Sequence, residues 1–477
     1  MAQDVTIAGA SYTGVPAVEL PTATGGTAVF PDTSDATATA AQLASGATAY
    51  VGGAKLTGTA DYAQSSSLAP SEASATATAS YSSGDFLMLG GQLYKATAAI
   101  AVGDALVVGT NIVATTVAEQ ITALWSTVKS FHHVYGAEWD GSGSTAWTRT
   151  DDAAWFTDPI PYVAGATSYG SPFDNLMPWA GMVRVTDSEA GEMVKIPKFW
   201  YKLTQGASGG FKIQISTGEL DGYSVCPACM DRGDGNGERD YVLVGRYHCA
   251  NNTYKSTSGA VPQVNITRPT ARSNVAALGS DVWMMDWALR FTVWLLYLVE
   301  FADWNSQACI GYGCGDGSDT AAMGYTDSMP YHTGTTQSSR TTYGLGTQYR
   351  YIEGLWDNVR DWVDGAYNGS SGLMLILDPS SGSDSSGGVN IGTPSSGWPS
   401  AFTVKDISGT FPLFIPTTSG GSESTYACDV WYYDASSPCI NSGGYYQNNT
   451  NFGMFFYNYM SASNSNGSIG TRPMKLP

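Results

Sequence analysis

The sequence predicts an α+β protein, and three observations carry that prediction. Short runs alternate apolar with polar residues between Gly- and Pro-marked turns, the pattern of half-buried strands. One apolar run, 282–302, VWMMDWALRFTVWLLYLVEFA, has the length of a helix, and its Asp286, Arg290 and Glu300 are costly at bilayer depth. It reads as a buried amphipathic helix over 281–305 with Asp281 as N-cap, and no membrane insertion is expected. Few helical patterns stand among many Gly-rich loops, which argues against a layered α/β sheet.

Taken in order, residues 1–61 are rich in Ala, Thr and Gly with β-like alternation, and form an expected N-terminal module. Within it Asp35–Ser45 has the cap and spacing of a short helix. AYVGGAKLTGT reads as a hairpin turning at Gly52-Gly53. The first residues show no basic and apolar leader, so no secretory signal is expected. Residues 62–80, YAQSSSLAPSEASATATAS, read as a linker. A small β module follows at 81–118, with strands Phe86–Leu89 and Gln92–Thr97 about Gly90-Gly91. Its Tyr81, Phe86 and Tyr94 suit a core better than a sugar platform. A connecting helix is expected at 119–130, where Ile121, Leu124 and Val128 continue the spacing from Val117. From 131 to 477 no comparable linker occurs, so this span reads as one large domain.

Composition narrows the function. Charged residues are only 13% of the 477, against 43% hydrophobic, so the surface must be largely Ser, Thr, Asn, Gly and Tyr. A formal charge of −19 repels phosphates and anionic lipid, which sets nucleic acid and membranes aside as partners. Seven irregularly spaced cysteines are no secreted disulfide framework and fit synthesis in a cytoplasm.

The last fifty residues are the most informative. From Tyr426 the chain reads YACDVWYYDASSPCINSGGYYQNNTNFGMFFYNYMSASNSNGSIGTRPMKLP, with neither Lys nor Arg before Arg472. Tyr, Trp, Asn, Ser and Gly are the residues of binding loops: rigid amphipathic rings with adaptable polar groups between them. Strand alternation places Val430, Tyr432 and Asp434 on one face and Trp431 and Tyr433 on the other. The expected contact surface comprises Val430, Tyr432, Tyr433, Asp434, Asn441, Ser442, Tyr445, Tyr446, Gln447, Asn448, Asn449, Asn451, Phe456, Tyr457, Asn458 and Asn464. Trp431, Phe452 and Phe455 are expected inside, and Tyr432, Tyr446, Tyr457 and Tyr459 outside.

Two stretches carry a family resemblance. GLWDNVRDWVDG at 354–365 resembles the N-V-x-E-W-V signature of the formylglycine-generating branch of C-type lectin folds, with Asp361 where Glu is usual. GGYYQNNTNFGMFFYNYMSASNSNGSIGTRP resembles the closing strand pair of the same folds. Asn358, Trp362, Gly443, Gly444, Gly453, Ile469, Gly470 and Arg472 stand at the recurring scaffold positions. The same ending occurs in bacteriophage tail adhesins diversified by retroelements. The resemblance implies a C-type lectin-like domain over 131–477, preceded by small β-rich fibre modules. It further implies a tail-fibre or tail-tip protein made in the host cytoplasm and carried on the virion. Such a protein would bind a bacterial surface receptor, protein or glycan, as a homotrimer joined to other tail proteins through its N-terminal modules. A purely structural tail component and a surface-glycan depolymerase are the alternatives.

Catalysis has little support. Cys428 and Cys439 do not reproduce the closely spaced cysteine pair of the formylglycine-generating branch. No spacing singles out a pair of carboxylates for glycoside hydrolysis, and no nucleophile motif is present. The CPAC run at 226–229 near His248 and Cys249 is half of a zinc pattern at most. Asp231, Asp234 and Asp240 in DRGDGNGERD are oxygen ligands suited to Ca²⁺ without EF-hand spacing. The expectation is a binding protein, with no cofactor required.

Overall fold

The computed structural model describes residues 3–7, 9–15, 17–21, 27–31, 48–51, 54–57, 70–116, 132–313, 319–335, 346–447 and 452–477. It divides into two compact units, Met1–Thr127 and Val128–Pro477. The helices expected at 35–45 and 119–130 lie outside the described residues.

In the first unit, Gln3–Ile7 pairs with Ala10–Val15, Ala17–Pro21 with Thr27–Pro31, and Thr48–Val51 with Ala54–Thr57, all antiparallel. The last pair flanks the two glycines read as a turn. A four-stranded sheet follows, in the order Ile112–Ala114, Gln92–Ala96, Phe86–Leu89, Ser71–Glu72. Gly90 and Gly91 take φ of 59° and 79°, the left-handed pair a two-residue hairpin turn needs. Ser71–Glu72 falls inside the span read as linker. Its Glu72 is 2% exposed and accepts hydrogen bonds from Thr78 and the Tyr81 hydroxyl. Polar composition concealed a strand held by one buried carboxylate. Tyr81 itself packs with Leu87, Ile100 and Ile112, the core use expected of it.

The second unit holds three larger sheets. The first runs Thr148–Asp151, Val134–Trp139, Phe211–Ser216, Trp200–Gln205, Ser224–Val225. A second runs Val183–Asp187, Gly191–Pro197, Tyr241–Gly245, Pro473–Lys475, Val282–Met284, so the chain end closes between two distant segments. The third runs Val389–Asn390, Gly372–Leu375, Arg360–Gly369, Cys439–Ser442, Tyr457–Met460, with Ile469–Gly470 parallel to Arg360–Gly369. A separate antiparallel pair joins Pro399–Lys405 to Leu413–Ser419.

Among the described residues the protein is therefore mainly β, with strands in several separate sheets far outweighing the few helices. This corrects the α+β class, and the sheets do not form a clear C-type lectin arrangement. The sequence reading missed strands because many are short and pair with partners far along the chain, which local periodicity cannot register. The expected long helix is shorter than its apolar run. Val282–Met284 is a strand on Pro473–Lys475, and the helix begins only at Trp287. Asp286, not Asp281, is its N-cap, accepting the Leu289 N–H at 2.9 Å. All fifteen residues of Trp287–Phe301 are buried, so the helix is enclosed all round and has no polar face. Its charges are answered locally: Glu300 pairs with Arg350, and Asp286 with Arg232. No described helix is long and apolar enough to cross a membrane.

Candidate binding surface

The helix Trp287–Phe301 is the base on which the C-terminal segment is laid. The Arg290 guanidinium donates to the carbonyls of Leu355 at 2.8 Å and Met454 at 2.9 Å, and the Trp294 indole donates to the same Met454 carbonyl. Ser306 Oγ accepts the Met454 N–H at 2.9 Å. The buried Asp429 carboxylate accepts the N–H groups of Gly453 at 2.6 Å and Phe455 at 2.9 Å. Burial pushes that carboxyl up to about 7, against the opposing pull of the two backbone donors. Backbone 453–455 is thus held from beneath by four buried side chains.

Beside it, Cys439–Ser442 lies between Arg360–Gly369 and Tyr457–Met460. Below this strand is a purely internal network. The Asp361 carboxylate meets His248 Nδ1 at 3.0 Å, Arg472 Nε at 3.2 Å and Arg290 at 3.6 Å, all four residues buried. The neighbouring cations hold Asp361 down at about 2, and burial lowers His248.

The scaffold positions are accounted for individually. Asn358, at φ 61°, accepts the Ala321 N–H at 2.8 Å and returns a bond to the Ala321 carbonyl at 3.0 Å. Its own carbonyl accepts the Tyr446 N–H at 2.9 Å. The Trp362 indole donates to the Ile266 carbonyl at 3.0 Å. Gly443 has φ 80°, and a Cβ there would lie 2.3 Å from the Leu355 oxygen. At Gly453 a Cβ would strike the Asp429 carboxylate at 2.6 Å. Gly444, Ile469, Gly470 and Arg472 are buried.

The expected contact residues divide. Tyr432, at 38% exposure, and Gln447 are exposed. Tyr433, Asp434, Tyr445, Tyr446, Asn458 and Asn464 are half-buried, as is Tyr459. Asn448, Asn449 and Asn451 lie outside the described residues. Five expectations are overturned: Val430, Asn441, Ser442, Phe456 and Tyr457 are buried. Asn441 and Ser442 sit on the strand paired on both sides, and Ser442 Oγ is spent on the Phe456 carbonyl at 2.6 Å. Tyr457 is core: its ring stacks on Trp431 at 4.9 Å and 8°, and its hydroxyl bonds Asn368. Val430–Asp434 form no ladder strand beyond the Trp431 bridges to Gly397 and Tyr457, so strict alternation does not apply to them. Tyr433 anchors by donating to the Gly369 carbonyl at 2.7 Å, and Asp434 closes a turn with Ser436. Trp431 and Phe455 are inside as expected, whereas Phe452 is half-buried at the surface.

What the sequence reading missed is Arg360. It occupies the free position of the N-V-x-D-W stretch, so nothing in the motif drew attention to it. Its guanidinium lies 4.3 Å from the Tyr445 ring centroid and 5.1 Å from those of Phe452 and Phe456. Phe452 and Phe456 meet edge to face at 4.6 Å, and Tyr432 adjoins Phe456 at 6.2 Å. The side chain is 9% exposed, and burial pulls its pKa down to about 10. The absence of Lys and Arg from 426–471 was a signal that any cation at this surface must come from another segment.

The other candidate chemistries separate. Asp234 pairs with Arg239 and Asp240 with Lys198, while Asp231 accepts the Gly233 N–H. Cys226 and Cys229 are buried free thiols, and His248 is committed to Asp361. Among the described residues no group of three His, Cys, Asp or Glu side chains is placed to hold a metal.

No family model and no curated protein matches the chain. Among solved structures it is similar to one described as the structure of PvdO from Pseudomonas aeruginosa, at 11% identity and a TM-score of 0.26, covering 62% of this chain and 98% of that one.

Proposed function

We propose that the chain is a receptor-binding protein of a bacteriophage tail, recognising a bacterial surface receptor through the rim formed by its C-terminal segment. One observation carries the proposal. Tyr432, Tyr445, Tyr446, Gln447 and Phe452 reach the surface together from a segment whose neighbouring backbone, 453–455, is fixed by buried groups. Rings and amides on a rigid support lose little entropy on binding, which is the chemistry of recognition without reaction. The resemblance of the last fifty residues to phage tail adhesins points the same way. On that reading the N-terminal hairpins join other tail proteins, and several copies per particle raise avidity beyond that of one rim.

The test is adsorption. The whole chain, added in excess, should block phage attachment to host cells, and a chain carrying Tyr432→Ala with Tyr446→Ala should not, at an unchanged melting temperature. Equal competition by the variant removes the rim from recognition. Absence of competition by the unaltered chain removes the receptor-binding role.

A further inference from the structure

Eight arginines of the second unit are buried: Arg232, Arg239, Arg246, Arg268, Arg290, Arg350, Arg360 and Arg472. Seven have an acidic partner, respectively Asp286, Asp234, Asp327, Asp384, Asp361, Glu300 and, for Arg472, Asp361 again. Arg360 is the exception among the described residues. Acidic residues outnumber basic ones 41 to 22, so carboxylates were plentiful. Its Nε is sealed from solvent without a hydrogen-bond acceptor, whereas its terminal nitrogens are not sealed. Rings cover the cation, and ring faces stabilise a guanidinium without replacing an anion. A desolvated charge with open donors and no counter-ion is costly unless a partner arrives from outside.

We propose that Arg360 and the rings around it form a subsite for a carboxylate-bearing sugar of a surface glycan. The inference deepens the receptor-binding reading and rests on it. The planar guanidinium fork matches a carboxylate in two parallel hydrogen bonds. The cluster of Tyr445, Phe452, Phe456 and the exposed Tyr432 gives the apolar C–H side of a pyranose a surface to pack on, and the exposed Gln447 gives an amide for its hydroxyls. The net charge of −19 opposes a densely charged polyanion, so single carboxylates set among neutral hydroxyls fit best.

Isothermal titration of the whole chain with D-glucuronate, D-glucose and N-acetylglutamate tests this, alongside host-cell adsorption. Glucuronate should bind at least about tenfold more tightly than glucose or N-acetylglutamate, and Arg360→Gln should abolish that advantage. Arg360→Lys, which keeps the charge and loses the fork, should retain part of it. Equal affinity for glucuronate and glucose overturns the subsite, and a preference for N-acetylglutamate replaces the sugar with an acidic peptide. If Arg360→Gln does not fold, Arg360→Lys and the ligand comparison on the unaltered chain decide. Adsorption unchanged by Arg360→Gln overturns the subsite and leaves receptor binding standing. Glucuronate binding by a chain that adsorbs to no host does the reverse.

Discussion

Asp429 accepts the backbone N–H of Gly453 at 2.6 Å from a fully enclosed position. The bond joins the start of the aromatic segment to its middle, and the acid that makes it titrates far from its ordinary range.

That carboxyl is pushed up to about 7 by burial, and so is Glu353, which accepts the Gly324 and Thr326 N–H groups. In the unfolded chain both titrate near ~4. Their contribution is fully present below the unfolded value and is lost as pH rises through the folded one. The urea midpoint should therefore be higher near ~pH 5 than near ~pH 8. Asp429→Asn and Glu353→Gln should each flatten the slope. Asp361 and Asp174, held down at about 2 by cationic partners, act below this window and in the opposite sense.

Tyrosines 432 and 457, both first read as contacts, should separate cleanly on mutation. Tyr457→Ala empties the space against Trp431 and Trp287 and is expected to cost ~3–5 kcal/mol. Tyr457→Phe loses only the bond to Asn368, about 1 kcal/mol. Tyr432→Ala should stay within ~0.5 kcal/mol of the parent. Chemical denaturation of the three variants checks the order.

Removal of one charge from the Asp361 network should be severe. Asp361→Asn leaves Arg472 and Arg290 enclosed without their shared carboxylate, an expected loss of ~3–5 kcal/mol. Protection of the Arg360–Gly369 amides from hydrogen exchange should fall with it.

Gly443→Ala should destabilise by at least ~1–3 kcal/mol, because φ is 80° and the new methyl meets the Leu355 oxygen. Thermal melts distinguish it from a change at Gln447, which is exposed and should be neutral.

What the sequence made legible depended on the physics of each element. The helix inside 282–302 was visible because its length and hydrophobicity are local properties. Its first turn was misplaced because Val282–Met284 is recruited by Pro473–Lys475, about two hundred residues away. Gly90-Gly91 announced its hairpin through turn chemistry alone. Asn358, Trp362 and Arg472 were identified as framework from their motifs, and each serves it through buried bonds. Which side chains of the C-terminal segment face outward was half legible. Tyr and Asn occur both in recognition loops and in satisfied cores, so composition could not separate Tyr432 from Tyr457. Arg360 was invisible because its distinction is the lack of an acidic neighbour, a property of three-dimensional surroundings.

Cys439–Ser442, fastened along both edges, limits where this segment can tolerate replacement. A substitution there disturbs two neighbouring strands at once. Side-chain changes at Tyr432, Tyr446 or Gln447 touch neither ladder, so chains differing only there should melt at one temperature. A single inner strand thus confines the freely replaceable side chains of this segment to a handful of outer positions.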